Sequence, residues 1–487
     1  MIEPGERALA LLKKRKRMLK LITICAVVAG LMLVGYRAAD EKWSGGIDAS
    51  RLLVIRGGRL IDGSGSPPLD NAVVVIVDGK IQSVFPEGKG RVPRGAKVID
   101  AAGRTLMPGL IDTHVHLVIG SAGPTLSGQE YMLDRVLHDL RAYLYWGVTT
   151  IRSAGDMTDM ILRLRDNERG GTIVGPHLLA VGPTITCEGG HPARFLPRPI
   201  AAEATRELKS REEVKPVVDA LAAQKVDMIK VVYDGGSQWA RFPKLRLDLL
   251  KAVIEEAHLN GLRVSVHTWI LSDLKDAVRS GADGVEHGAT DALDMEAIQL
   301  LRDRGVFYCP TLTVIESNAR PLKDVDAVLA REDVRSTVSL VIRDGLAKHQ
   351  GYAFDMKRDR DLMNYFSAAF KTCQQNVRLA FENGVKIVLG TDAGEPMVFH
   401  GLASHDELRL LVASGLSPMD AIVAGTRTAA EYLGGAKEFG TIEAGKRADI
   451  LIVDGNPLDD IGSTKNIWQV IKDGGVVDRA RLFNRNE

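Results

Sequence analysis

Gly109-Leu110-Ile111-Asp112-Thr113-His114-Val115-His116-Leu117 decides how the chain is read. An apolar run, Thr105-Leu106-Met107-Pro108-Gly109-Leu110-Ile111, leads into it and reads as a buried strand that ends at two histidines. These histidines are two residues apart, so on an extended segment both side chains point the same way. Neutral imidazole is a good ligand for a borderline-soft divalent metal, and two from one strand end make half a metal site. The competing reading is a polar pair in a surface loop. Histidine is scarce, 11 in 487 residues, so the positions of the others decide between the two.

Working outward, residues 107–436 alternate strand and helix. Strands end near His116, Ser153, Val181, Val232, Thr268, His287, Thr311 and Asp392. Helical stretches fall at 128–145, 156–168, 211–224, 245–260, 271–280 and 293–304, within 318–383, and at 417–433, where Ser417-Pro418 reads as an N-cap followed by proline at the first helical position. Eight such pairs predict an α/β fold, a (β/α)8 TIM-like barrel. A doubly wound sheet is the structural alternative, but Gly189-Gly190 and Gly235-Gly236 lack the spacing of a nucleotide-binding loop. Residues 50–106 carry antiparallel strands at Leu52–Arg56, Ala72–Val77, Ile81–Val84 and Lys97–Asp100, with Asp78-Gly79-Lys80 as a hairpin turn. Residues 437–487 repeat the strand-then-glycine pattern at 448–455 and 467–475. Both chain ends are therefore expected to build one small β-sandwich beside the barrel.

Residues 1–49 form a separate segment. Lys13, Lys14, Arg15, Lys16, Arg17 and Lys20 precede an uncharged run from Leu21 to Tyr36, which Arg37 closes. This pattern predicts a cytoplasmic basic segment, a membrane anchor or cleaved signal, and a linker. By the positive-inside rule the remainder is extracytoplasmic, in the periplasm or at the cell exterior. The composition is that of an ordinary globular protein, with 45% hydrophobic and 26% charged residues. The net charge of +1 provides no basic field for nucleic acid. Cys25, Cys187, Cys309 and Cys373 form no CxxC pair, so no zinc-finger or iron–sulfur pattern exists and no disulfide is expected. Oligomeric state is left open.

Barrel active sites lie at the C-terminal ends of the strands. The first strand ends in His114 and His116. The fourth, Val226-Asp227-Met228-Ile229-Lys230-Val231-Val232-Tyr233, carries a lone cation in an apolar run. Burying Lys230 bare costs on the order of several kcal/mol. Either its ammonium finds a carboxylate, or it loses its proton and reacts with carbon dioxide to give a carbamate able to bridge two metals. The fifth and sixth strands end in His267 and His287, and the eighth in Asp392, whose carboxylate can hold a metal and take a proton from a bridging water. One ion is expected on His114, His116, Asp392 and the carbamate, and the second on the carbamate, His267 and His287. Water between them is acidified to hydroxide, and the metals polarise the scissile carbonyl.

With these residues in place, residues 50 to about 480 resemble the amidohydrolase superfamily, in its imidazolonepropionase-like and metal-dependent prolidase (Xaa-Pro dipeptidase) branch. His114-Val115-His116 matches the HxH of the first strand, Lys230 the lysine carboxylated in binuclear members, His267 and His287 the ligands of the fifth and sixth strands, and Asp392 the aspartate of the eighth. The resemblance implies a metal-bearing barrel and hydrolysis by a metal-bridged hydroxide. It also implies that Tyr233, in Lys-Val-Val-Tyr-Asp-Gly-Gly, reaches the substrate. Asp234 departs from the Ser or Thr common before that Gly-Gly.

The leading expectation is a binuclear hydrolase, with zinc as the expected metal, that cleaves an amide bond in a dipeptide or N-acyl amino acid. Lactone, cyclic-amide or organophosphate ester hydrolysis is the enzymatic alternative, and a catalytically inactive anchored binding protein the non-enzymatic one. Weaker candidates surround the set. Arg152 either grips a substrate carboxylate or pairs with Asp156. His191, after Cys187-Glu188-Gly189-Gly190, either polarises a carbonyl or is a surface-loop histidine. Glu395 and His400 are read as pocket-lining and His405 as supporting a ligand. Loops 311–316 and 394–400 carry Leu312, Val314, Ile315, Met397, Val398 and Phe399, which predict an apolar pocket for the leaving residue.

Overall fold

The computed structural model describes residues 47–48, 51–119, 129–236, 241–348 and 360–483. Six strands open the chain: β1 (Ile47–Asp48), β2 (Leu52–Leu60), β3 (Leu69–Val77), β4 (Lys80–Pro86), β5 (Lys97–Asp100) and β6 (Arg104–Pro108). The valine-rich run of β3 pairs antiparallel with β2 and β4. The β3–β4 turn has Asp78 at φ 47° and Gly79 at φ 81°, the left-handed pair that lets a two-residue hairpin match strand twist.

The next ten strands are β7 (Leu110–Val115), β8 (Val148–Ser153), β9 (His177–Ala180), β10 (Thr184–Cys187), β11 (Thr205–Leu208), β12 (Ile229–Val232), β13 (Val264–His267), β14 (Gly284–Glu286), β15 (Phe307–Cys309) and β16 (Lys386–Ile387). The chain ends with β17 (Ile450–Asp454), β18 (Ile467–Lys472) and β19 (Gly475–Val477). These last three join β1–β6 in one mixed sheet, ordered β1-β19-β18-β17-β6-β2-β3-β4, with β5 on β2. Residues from both chain ends share its core, among them Leu53, Ile55, Val74, Leu106, Ile450 and Ile471.

Strands β7–β16 form two parallel sheets, β7-β8-β9 and β11-β10-β12-β13-β14-β15-β16, separated by helices that bury apolar faces against them. Main-chain bonds cross both seams. Thr113 and Asp392 amides donate to Leu389 and His114 carbonyls at 3.0 and 2.8 Å on one side, and the Asp227 amide donates to Ala180 at 2.9 Å on the other. The second seam is broken at Val181-Gly182-Pro183, where proline has no amide to give the ladder. β9 bonds to β8 before the break, and β10 bonds to β12 after it.

Three local readings differ from the sequence expectation. The run 105–111 is two strands. β6 ends in the mixed sheet at Pro108 and β7 starts in the parallel sheet at Leu110, because Gly109 turns between them where a Cβ would meet Thr149 at 2.1 Å. The stretch 417–433 is two helices, Pro418–Ala424 and Arg427–Tyr432. The carbonyls of Ala424 and Gly425 accept instead from Leu389 and Ile111, at 3.1 and 2.8 Å. Helix Leu402–Ala413 was not expected; eight of its side chains are buried, so it lacks the one-sided pattern that marks a surface helix.

Among the described residues, no helix is long and apolar enough to cross a membrane. The expected anchor falls within residues 13–37, outside the described residues.

Candidate metal centre

β7 delivers His114 and, one residue past its end, His116. Asp112 fixes that strand end. Its Oδ1 accepts from the amides of His114 (3.3 Å) and Thr391 (3.1 Å), and its Oδ2 from the hydroxyls of Thr391 (2.7 Å) and Ser404 (3.0 Å). Burial pushes this carboxyl up to about 7. Asp392 is thereby held opposite β7, with Oδ1 3.3 Å from Nε2 of both His114 and His116. Ligand atoms of these three residues all lie within 4.8 Å of one another.

Three further residues close on this group. The His287 ring centroid is 4.9 Å from that of His114 and 4.4 Å from that of His267. Lys230, buried on β12, places Nζ against Glu286 Oε2, whose other near neighbour is His114 Nδ1 at 3.3 Å. His287, Thr311 and Asp392 have φ of 63°, 45° and 63°, conformations that non-glycine residues adopt rarely and that here coincide with strand ends around one centre.

The electrostatics suit a cation. Burial, reinforced by Lys230 for His114 and by His267 for His287, holds both imidazoles well below their usual value and therefore neutral, the ligating form. Burial opposes ionisation of Asp392, but its contacts with His114 and His116 overcome it and hold its carboxyl well below the usual range; against burial, Asp392 in turn raises His116 to about 9, a proton whose place a bound cation would take. Nδ1 of His114 and Nζ of Lys230 both face Oε2 of Glu286, and Nε2 of His267 faces Asp234 at 3.4 Å, yet none of these four buried atoms makes a regular hydrogen bond. So dense a group of buried polar atoms is costly unless something joins them. Separations of 3.3 Å between ligand atoms are long for a charge-assisted hydrogen bond but match the edge of a metal polyhedron with bonds of about 2.0–2.1 Å. The residues fit divalent metal. Their outward nitrogens are oriented as metal-bound histidines require: His116 Nδ1 on the Gly155 carbonyl at 2.7 Å, and His287 Nδ1 on Thr311 Oγ1 at 2.8 Å.

Glu286 is the residue that sequence reasoning missed. It meets the criterion applied to Lys230, a charge inside an apolar strand. Arg152 belongs with it and satisfies neither expectation. Fully buried, it donates from Nε to the Thr113 carbonyl (2.6 Å), from one terminal nitrogen to Ser265 Oγ (2.9 Å), and from the other to Glu286 Oε1. It therefore pairs neither with Asp156 nor with a substrate. Asp156 accepts instead from the amides of Leu117, Val118 and Ile119 at 3.1, 2.8 and 2.9 Å, holding the segment after His116. His405 does not support the ligands. Its ring nitrogens meet the Trp146 carbonyl at 2.8 Å and Thr464 Oγ1 at 2.9 Å.

The remaining candidates occupy the rim. The His191 ring lies 5.0 Å from that of His267 and stacks on Phe242; burial and His267 bring it down to about 3, so it is neutral. Tyr233 donates its hydroxyl to Asp276 Oδ2 at 3.1 Å. Asp234 faces His267 Nε2 at 3.4 Å. His400 backs His116 through its carbonyl, at 2.9 Å. The main chain of Glu395 closes a turn on Asp392. The segment after Thr311 is a helix, Leu312–Ala319, in which Leu312 and Ile315 are fully buried in the core; these two side chains line no pocket.

The profile described as Amidohydrolase family matches residues 105–479. Ochratoxinase of Aspergillus niger is 28% identical over 458 residues, which cover 85% of this chain and 83% of that protein. Imidazolonepropionase of Agrobacterium fabrum is 25% identical, covering 81% of this chain and 86% of that one. Among solved structures, a Xaa-Pro dipeptidase with bound methionine in the active site is 27% identical with a TM-score of 0.70, covering 87% of this chain and 99% of its own.

Proposed function

Because the chain belongs to the amidohydrolase family across residues 105–479, we propose that it is a binuclear metal-dependent hydrolase of dipeptides or N-acyl amino acids. That it hydrolyses carbon–nitrogen bonds follows from the family and from its dipeptidase and ochratoxinase relatives. The observation that carries the finer reading is the convergence of His114, His116 and Asp392 with His267, His287 and Lys230. The bonds across both seams support reading the two parallel sheets as one closed (β/α)8 barrel, with the mixed sheet as a β-sandwich beside it.

His114, His116 and Asp392 would hold one ion and His267 and His287 the other, with Lys230 between them as its carbamate. Bound there, divalent metal, zinc by ligand type, supplies an acidified water and polarises the scissile carbonyl. Burial, with the nearby Arg152 guanidinium, holds the Lys230 amine well below its usual value. Carbon dioxide adds to its nitrogen with release of one proton, for which Glu286 Oε2 is the adjacent acceptor. Without carbon dioxide, Lys230 rests on Glu286, the other fate that its burial predicts. Asp392 takes the proton of the attacking water and returns it to the leaving amine. His191, neutral and able to donate one N–H, is assigned to the substrate carbonyl. Tyr233 is assigned to the substrate carboxylate, which it reaches by exchanging its bond to Asp276.

The test is a screen of purified, zinc-supplemented protein against dipeptides and N-acyl amino acids, each paired with its C-terminal amide. Free acids should be favoured about 10-fold or more, the worth of one hydrogen bond to a charged group. Tyr233→Phe should remove most of that preference. Equal turnover of acid and amide shows that no carboxylate is read and moves the lactone, cyclic-amide or ester reading ahead. No turnover of any of these returns the inactive binding protein. Placement outside the cytoplasm by the segment 13–37 is a further part of the proposal, resting on its charge pattern alone.

A further inference from the structure

At the opposite end of the parallel strands from the metal centre, His177 opens β9 and meets the mixed sheet. Its Nε2 lies 3.4 Å from Asp449 Oδ2 and 3.2 Å from Asp473 Oδ1. The ligand atoms of these three residues lie within 4.8 Å of one another, as they do for His114, His116 and Asp392. We propose that His177, Asp449 and Asp473 form a structural site for a zinc-like divalent cation, pinning the strand start to the mixed sheet.

Four observations carry this. Asp449 has a side chain only 6% exposed, and its Oδ2 points at His177 without a hydrogen-bond partner. His177 Nε2 likewise lacks one. Its distances to the two carboxylates exceed the roughly 2.7–2.9 Å of charge-assisted hydrogen bonds. They match the edge of about 3.3 Å of a tetrahedron with bonds of about 2.0–2.1 Å. The surroundings are built as metal sites are, with outer groups aiming the ligands. His177 Nδ1 faces Glu168 Oε1 at 3.5 Å, and the Asp473 amide donates to Asp449 Oδ1 at 2.9 Å, turning Oδ2 toward the imidazole.

Charge completes the argument. Glu168, Asp449 and Asp473 contribute three carboxylates, and Lys472, on Glu168 at 2.9 Å and Asp473 at 3.0 Å, one ammonium. In the metal-free protein burial opposes protonation of His177, but Asp449 and Asp473 overcome it and raise the imidazole to about 9; an ion bound there would displace that proton, and the two negative charges then remaining are what one divalent ion balances. Asp473, 47% exposed, gives the ion a path from solvent and leaves room for water as the fourth ligand.

Chelator-stripped full-length parent, His177→Gln and Asp473→Asn are each loaded with Co2+, desalted and analysed for bound metal and visible absorption. The parent should hold one equivalent more than either variant, with a matching loss of tetrahedral absorption. Because the difference is read, the number of ions at the other centre does not enter. Equal metal in all three proteins overturns the site. So does a His177 ring that carries protons on both nitrogens in 15N spectra of zinc-loaded parent, which identifies an ion pair in place of a metal. If His177→Gln does not fold, Asp473→Asn and the parent spectra decide alone.

Discussion

The carboxylate of Glu286 joins Lys230 to Arg152: one oxygen lies against the lysine amine and the other against the guanidinium, all three side chains being buried. It therefore connects a candidate metal ligand on β12 to a cation on β8, one residue before His287. Removing one partner of a buried pair typically costs about 3–5 kcal/mol, since the other charge is left uncompensated. Glu286→Gln is expected to lose that much stability in urea unfolding of metal-free protein, because Arg152 has no other carboxylate among its hydrogen-bond partners. A loss below about 1 kcal/mol shows that the charge is not what holds the centre.

Lys230→Ala removes the proposed bridge. Protein purified with zinc and bicarbonate should hold at least one ion more per chain in the parent than in the variant, with most activity lost in the variant. Elemental analysis of the two side by side provides the difference. Full metal content with full activity excludes the carbamate.

Asp392→Asn keeps the side-chain shape while removing the proton acceptor. Such general acid–base roles are worth about 10²–10⁴ in rate. Turnover should fall by that factor while circular dichroism is unchanged, and bound metal should be counted alongside because Asp392 also serves as a ligand. A rate within about twofold of the parent rules it out as the proton carrier.

Glu407 provides a pH signature from a carboxylate that is not among the candidate metal ligands. It accepts from the amides of Leu312 and Thr313 at 2.9 and 2.7 Å and from the Thr313 hydroxyl, capping helix Leu312–Ala319 from another element. Burial outweighs these bonds and raises its carboxyl from 4.5 to about 7. Below pH 4.5 the group is protonated in both the folded and unfolded states. Between the two values only the folded state keeps the proton, so the contribution to stability falls as pH rises through that window and is level above it. The slope is about 1.4 kcal/mol per pH unit. Glu407→Gln should flatten stability against pH between pH 5 and 7 relative to the parent, read by urea unfolding at several pH values. Parallel curves for parent and variant contradict this.

The segment 13–37 predicts that the rest of the chain lies outside the cytoplasm. Protease added to spheroplasts should reach it, and protease added to inverted vesicles should not. The reverse pattern, or full recovery in the cytoplasmic fraction, overturns that topology.

The sequence by itself determined the alternation of strand and helix and the residue types at the strand ends. Both follow from local rules: period-two and 3.6-residue apolar patterns, and the expense of placing His, Lys or Asp at the end of an apolar strand. His114, His116, Lys230, His267, His287 and Asp392 were legible as a candidate set on that ground, and the structure brings them together. The tertiary structure alone decided which charges meet. Arg152 and Asp156 are near in sequence, yet the guanidinium points inward to Glu286, 134 residues away, and Asp156 turns to the amides after His116. It also decided that the apolar run 105–111 serves two sheets, because Gly109 allows a close approach to Thr149 that no spacing rule encodes. His177, Asp449 and Asp473 carry no shared motif. They become neighbours only when the C-terminal strands fold onto the start of β9, since pairing across hundreds of residues is set by packing and not by local sequence.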